Sequence, residues 1–490
     1  MALIADAFSS AVRPVLRGSA GAVAAAHPLA VAAGQEMLVA GGSAIDALIA
    51  AQAVLCVVAP DACGLGGDMF AMVHDGSDAV AVNAAGAAPM ALREASADGA
   101  NSVTVPGIVD GWVTMAARWG RLPLERTLAP AIRIAASGFT VPKMLAVAAD
   151  AQRARLLRGG AGDWLLLQLA AGDLFVQPAL AEMLAAIGRD GARAFYRDRA
   201  SDIAGPVQAL GGTLAAEDLS RHATELAQPL EVSFAGVRVA VQPPMTQGVL
   251  LAVALAARER LAPVAPQLSD HVGIELTEAA FAFRDRCAEG SALLAEPLAI
   301  DLNRSARRGG PRAYLHTAGV AAADADGLVA SSLVSVFDDF GSCVFVPELG
   351  ITLNNRAGGF TGGPNAAAPS KRPVHTLAPA LVTGPHGSLA LATPGADGQV
   401  QTLLQVIAAV FAGGSDIAAA IAAPRWRSEA GAVLIEESHA NRGQLEALGH
   451  RLRVLPDGDM RFGAVVAAGF VEGGPIAAAD WRRESWSGVA

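Results

Sequence analysis

Little in this sequence ties it to a metal, a membrane or a nucleic acid. Its four cysteines, Cys56, Cys63, Cys287 and Cys343, stand apart with no CxxC spacing. That argues against thiolate metal sites and a disulfide framework, and it fits a reducing compartment. Aromatic residues make up only 5%. Long apolar runs are missing: "LIAAQAVLCVVAP", from Leu48, is too short to cross a bilayer. The opening "MALIADAFSSAVRPVLRG" has no basic start followed by a clean apolar stretch, and Asp6 interrupts it. No signal peptide is expected, and the cytoplasm is the expected compartment. Basic charge is not in excess. The net charge of −10 favours solubility and argues against nucleic acid as a partner. HExxH, GxxxxGK[ST], GxSxG and GxGxxG do not occur, which removes several common enzyme classes.

What is present is alanine and length. The 490 residues are 53% hydrophobic, much of it Ala, which suits closely packed helices with small side chains. Such a chain is too long for one ordinary core and implies two domains or one large one. "LAVAAGQEMLVAGGSAIDALIAAQAVLCVVAP" reads as two helices broken at Gly41–Gly42, with Ser43 as N-cap and Pro60 after the end. "DMFAMVHDGSDAVAVNAAG" alternates around Asp75–Gly76 and reads as a hairpin. Residues 122–212 are helix-rich, "LEVSFAGVRVAVQPP" reads as a strand pair, and a helix carries Asp270 near its start. "AIDLNRSARRGGPRAYLH" is polar and basic with Gly and Pro, and reads as an exposed linker open to cutting. After it come strand, tight turn at Asp324–Gly327 and strand, then further strands in "CVFVPELGITLNN" and "ALVTGPHGSLALATPG". A helix follows in "QTLLQVIAAVFAGG". Blocks of helices around two sets of strands imply a layered α+β architecture.

Thr317 heads the small-residue strand that follows the linker. It is either an ordinary strand or surface Thr, or a new N-terminus exposed by cleavage between His316 and Thr317. A Thr hydroxyl is a weak nucleophile and needs a base in reach. As a first residue it carries its own, an α-amine with a pKa near 7.7–8.0, held with the hydroxyl at a sheet edge.

Ten stretches, in order, resemble the gamma-glutamyltransferase family of N-terminal-nucleophile (Ntn) hydrolases over nearly the full length. They are "AAAHPLAVAAGQEMLVAGGSAIDALIAA", "CGLGGDMFAMVHDG", "SVTVPGIVDGW", "TLAPAIRIAASGF", "GGTLAAEDLS", "QPPMTQG", "FRDR", "DADGLVASSLVSVFDDFGSCVFVPELGITLNNRAGGF", "KRPVHTLAPALV" and "TPGADGQVQTLLQV". The resemblance implies a four-layer αββα sandwich with an added helical region. It also implies self-processing into segments 1–316 and 317–490, and amide cleavage through an N-terminal Thr. The family's nucleophile falls on Thr317 and its second hydroxyl on Ser335. Its oxyanion-hole N–H groups fall on Gly395 and Ala396, backbone donors of a kind worth about 3–4 kcal/mol each. Gly64, Gly66 and Gly67 then read as tight-turn glycines near the site, and Asp397 as a shaper of the oxyanion loop.

The departures concern the substrate. The family's substrate Arg falls on Ala85, or on Ala87 in a variant form, and its Ser-Ser pair on His375 and Thr376. Its Asn falls on Phe337, its Gln on Arg356 and its acidic residue on Gly359. Nearly every ligand for a glutamyl ammonium is gone, and an ammonium left unpaired beside Arg356 would be costly. "NNRAGGF", "KRPVHT" and "PGADGQ" look more like the oxamate-amidohydrolase-like branch. Arg356 is either a structural Arg or a carboxylate clamp; His375 is either a satisfied buried His or a substrate contact.

The resulting expectation is a cytoplasmic, self-processing amidohydrolase acting on a small amide. It needs no cofactor or metal and has no nucleic-acid or membrane partner. Its two segments stay associated, and homodimer formation is compatible with this reading. The alternatives are a true gamma-glutamyl transferase or hydrolase with rearranged ligands, and a non-catalytic relative.

Overall fold

The computed structural model describes residues 12–306, 308 and 317–490. His316, the end of the expected linker and the first eleven residues lie outside the described residues. Two seven-stranded sheets stack face to face. In the first, the strands run in the order Trp486–Val489, Gly21–Ala25, Ala318–Asp324, Val329–Ser335, Asp68–His74, Ala79–Ala84 and Glu225–Ala227. In the second, the order is Leu16–Arg17, Gly474–Ala479, Val466–Val471, Gly387–Ala392, Ala380–Gly384, Val237–Val241 and Leu230–Phe234. Neighbours within both are antiparallel.

Between the sheets lies a core made mostly of alanine, including Ala22, Ala24, Ala321, Ala323, Ala390 and Ala392. Small side chains let the two inner faces close without voids, and this is where the Ala-rich composition is used. Helices Pro28–Val39 and Ala44–Val58 cover the outer face of the first sheet. Helices Gly248–Arg260 and Gly398–Ile407 cover the second, with Ser269–Phe281 packed against both. The result is the αββα sandwich expected from the resemblance, with added helices from the first half of the chain.

Local signals act as their chemistry dictates. Ser43 caps its helix in a full capping box, its Oγ accepting from Asp46 N–H while Asp46 accepts from the Ser43 N–H. Asp68–His74 and Ala79–Ala84 pair as the hairpin around Asp75–Gly76, and the turn after Asp324 joins Ala318–Asp324 to Val329–Ser335. One expectation fails. The strand that begins after Thr317 is not at a sheet edge but inside the sheet, paired on both sides. It is an apolar, fully buried run, and burial on both faces stabilises an interior strand rather than an edge one. Thr317 therefore stands at the end of an interior strand.

Candidate active site

The site forms where several strands of the two sheets end together. Thr317 immediately precedes the Ala318 strand. Ser335 is the last residue of the neighbouring strand, whose register pairs Ala318 with Val334. Antiparallel pairing therefore brings the two hydroxyls together, and Thr317 Oγ1 donates to Ser335 Oγ at 3.3 Å. Both residues are buried. The backbone beside Ser335 is close-packed. A Cβ on Gly67 would lie 2.4 Å from the Ser335 carbonyl oxygen, so only glycine fits at the end of "CGLGG".

The Phe337 N–H also donates to Ser335 Oγ, at 2.9 Å. Phe337 has φ 87°, a left-handed conformation that is strained for a bulky residue. Its ring carries the Arg356 guanidinium at 4.3 Å, a cation–π contact. Arg356 is fully buried and its donors are divided. Nε donates to Asp68 Oδ2 at 3.0 Å and Nη1 to Thr376 Oγ1 at 3.3 Å. Nη2 has no partner among the described residues. Burial pulls the Arg356 pKa below the usual guanidinium value, and Asp68 opposes that pull.

His375 is satisfied by protein on both ring nitrogens. Nδ1 accepts from the Leu377 N–H at 3.1 Å, and Nε2 faces Asp68 Oδ2 at 3.2 Å. The proton therefore sits on Nε2. Burial, helped by Arg356, holds the His375 pKa at about 4, so the ring is neutral. It packs on Phe70 at 4.4 Å between centroids and offers a ring face, not a nitrogen, to its surroundings. Burial works against the Asp68 charge, yet the His375 hydrogen bond and the Arg356 charge outweigh it and hold its pKa below the usual carboxylate value.

The loop expected to carry the oxyanion hole follows Gly387–Ala392. A Cβ on Gly319 would lie 3.3 Å from Ala392, so this strand ends beside the start of the Thr317 strand. Gly395 and Ala396 both have positive φ, 123° and 46°. Positive φ at two successive residues takes the chain out of the usual backbone regions and turns it sharply here. Gln247 Nε2 donates to the Ala396 carbonyl at 2.6 Å and to the Thr376 carbonyl, tying this loop to the His375–Thr376 segment. Asp397 lies 3.8 Å from Arg284, which places a cation beside the loop.

Contacts thus link Thr317, Ser335, Phe337, Arg356, Thr376, His375 and Ala396 in one network. Sequence reasoning missed two of its members, Asp68 and Gln247. Both were in view, in "CGLGGD" and "QPPMTQG", but a lone acid beside glycines carries no mark of its charge partner. Beside the network lies a cavity of about 260 Å³, lined in part by Phe70, Ala85, Met245, Arg356, Arg372 and His375. Ala85 leaves room there. Arg372 does not replace the missing cation, since it donates to the Ala85 carbonyl and pairs with Glu225. At Gly359 a Cβ would meet Pro373 at 3.4 Å, an ordinary contact distance, so the family's acidic side chain is missing by sequence and not for want of room.

A family model for gamma-glutamyltranspeptidase matches residues 30–489. The chain belongs to the gamma-glutamyltranspeptidase family. Among its relatives is the oxamate amidohydrolase proenzyme of Klebsiella pneumoniae subsp. pneumoniae, 32% identical over 89% of this chain and 92% of that protein. The acylase ACY 1 proenzyme of Pseudomonas sp. (strain V22) is 31% identical over 95% and 93%. The crystal structure of cephalosporin acylase from Bacillus halodurans superposes with a TM-score of 0.91 at 28% identity, covering 100% of this chain and 99% of that one. This member of the gamma-glutamyltranspeptidase family is thus an Ntn-type hydrolase related to self-processing amidohydrolases, and the expected branch is borne out. Among the described residues, no helix is long and apolar enough to cross a membrane.

Proposed function

We propose that this protein is a cytoplasmic amidohydrolase that matures by cleavage between His316 and Thr317 and then hydrolyses a small, carboxylate-bearing amide. Thr317 Oγ1 attacks the amide carbonyl, and the α-amine freed by cleavage takes its proton and delivers it to the leaving nitrogen. The N–H groups of Gly395 and Ala396 stabilise the tetrahedral oxyanion. Water then releases the acyl group from Thr317. Ser335 orients the nucleophile. Arg356 Nη2 holds the substrate carboxylate, Thr376 and Phe337 fix the guanidinium, and His375 walls the pocket. The segments 1–316 and 317–490 remain together after the cut.

The observation that carries this reading is the 3.3 Å contact between Thr317 and Ser335, made at the end of an interior strand beside a loop with two successive positive-φ residues. The cavity supports a second reading of substrate size. At about 260 Å³ it also accepts an acyl group with a longer carboxyl-bearing arm, in keeping with the acylases among the relatives.

Intact-mass measurement tests the proposal. The wild-type chain is expected as fragments of 316 and 174 residues (490 − 316 = 174), and Thr317→Ala as one chain. A wild-type chain that stays whole and inactive on long incubation would overturn it.

A further inference from the structure

Asp68 places a buried anion inside the site. Its strand pairs with the Ser335 strand, with Asp68 directly opposite Ser335, and its side chain is fully buried. One oxygen, Oδ2, accepts from both Arg356 Nε and His375 Nε2. His375 is neutral, so Asp68 is the carboxylate that directly opposes the Arg356 charge. The other oxygen, Oδ1, has no partner among the described residues, and neither does Arg356 Nη2. A buried polar atom left unpaired in a native fold calls for a reason.

The reaction's own charge balance supplies one. Hydrolysis breaks the C–N bond and forms a C–O bond: R–CO–NH₂ + H₂O gives R–COO⁻ + NH₄⁺. A substrate that already bears one carboxylate therefore leaves as a dianion. An uncompensated buried guanidinium would hold that product more tightly than the substrate, and turnover would stall. A fixed negative charge on the same guanidinium acts the other way, because it repels two charges more than one.

We propose that Asp68 is a positioning residue that acts through Arg356: it orients the guanidinium by Nε, leaves Nη2 for the substrate, and weakens the clamp enough to release the dicarboxylate product. This inference rests on Arg356 being the carboxylate clamp. Asp68 then sets discrimination between monoanion and dianion, whereas Arg356 sets carboxylate binding itself.

The test uses the mature enzyme with oxamate as the monoanionic amide and oxalate as the dianion, each measured for its binding or inhibition constant. In the wild type, oxalate is expected to bind no more tightly than oxamate. Asp68→Asn keeps an acceptor oxygen for both donors and removes the charge. It is expected to tighten oxalate relative to oxamate roughly ten-fold, and to lower kcat with a burst of ammonia in the first turnover. A folded, self-cleaved Asn variant with an unchanged oxalate-to-oxamate ratio overturns the proposal. So does a wild-type enzyme that binds oxalate far more tightly than oxamate, and that measurement stands even if the variant does not fold. Arg356→Ala separates the two ideas. If it leaves oxamate binding unchanged, the clamp itself is wrong. If it weakens oxamate while Asp68→Asn leaves the ratio untouched, only the role of Asp68 falls.

Discussion

Thr317 and Ser335 meet hydroxyl to hydroxyl at 3.3 Å, eighteen residues apart in the chain and adjacent across two antiparallel strands. Ser335 Oγ also receives the buried Phe337 N–H, so one oxygen serves both the Thr317 hydroxyl and a strained backbone. Ser335→Ala removes both contacts. It is expected to slow self-cleavage and turnover, and to cost about 1–3 kcal/mol of stability for the orphaned N–H. Following fragment appearance by mass, with a urea melt alongside, checks both. Ser335→Thr keeps the hydroxyl and should recover most of the stability.

Gly67→Ala probes the same point from behind. The added Cβ would meet the Ser335 carbonyl at 2.4 Å, and backbone is what must move. The variant is expected to lose self-cleavage at a cost typical of overpacking, about 1–3 kcal/mol. Gly76→Ala is a control of a different kind: its φ of 95° is strained for Ala, but nothing lies within 4 Å, so self-cleavage should survive. Equal damage from both would mean that general stability, not the placement of Ser335, governs maturation.

Acid should weaken the fold through His375. Its pKa is about 4 in the native state against about 6.5 in an unfolded chain. Between these values the unfolded state takes a proton that the native state refuses. Stability therefore falls as pH drops from about 6.5 to about 4, by up to about 3 kcal/mol from this group. His27, held at about 4 by burial, adds in the same direction. The His375 share is read as the difference between wild type and His375→Gln in denaturant melts at pH 7 and pH 4.5. Identical slopes would show that His375 is not neutral in the fold. Activity is expected to rise separately near pH 7.7–8.0 with the Thr317 α-amine.

Substrate choice should follow the ligands present. Gamma-glutamyl anilides and glutathione are expected to be poor substrates, because Phe337 and Gly359 stand where an ammonium would need partners. Small amides with a carboxylate and no nearby ammonium are expected to be better. Arg356→Ala should cost the latter about 1.5–3 kcal/mol, the worth of a charged hydrogen bond, read from kcat/KM. A wild-type preference for the glutamyl compound would restore the transferase alternative.

Much of this was legible in the sequence because the signals were local. Ser43, the Asp75–Gly76 turn and the turn after Asp324 fix their neighbours without reference to the rest of the chain. The order of the motifs carried the architecture. Two things stayed hidden. The closing strands Val466–Val471 and Gly474–Ala479 are buried almost throughout, so neither shows the alternation that marks a strand. The acid partner of Arg356 lies 288 residues away, and pairing over that distance is set by strand order, which no short window contains. The sheet-edge expectation for Thr317 failed for the same reason, since Gly21–Ala25 arrives from the far end of the chain to cover it.

That interleaving has a consequence for the life of the protein. Gly21–Ala25 is wedged between Ala318–Asp324 and Trp486–Val489, so the pieces on either side of residue 317 cannot each complete a sheet alone. Two genes encoding the pieces separately should yield insoluble material where the single gene yields enzyme. On the proposed maturation, reactivity would be licensed by assembly: a polypeptide that misfolds would never unmask its nucleophile.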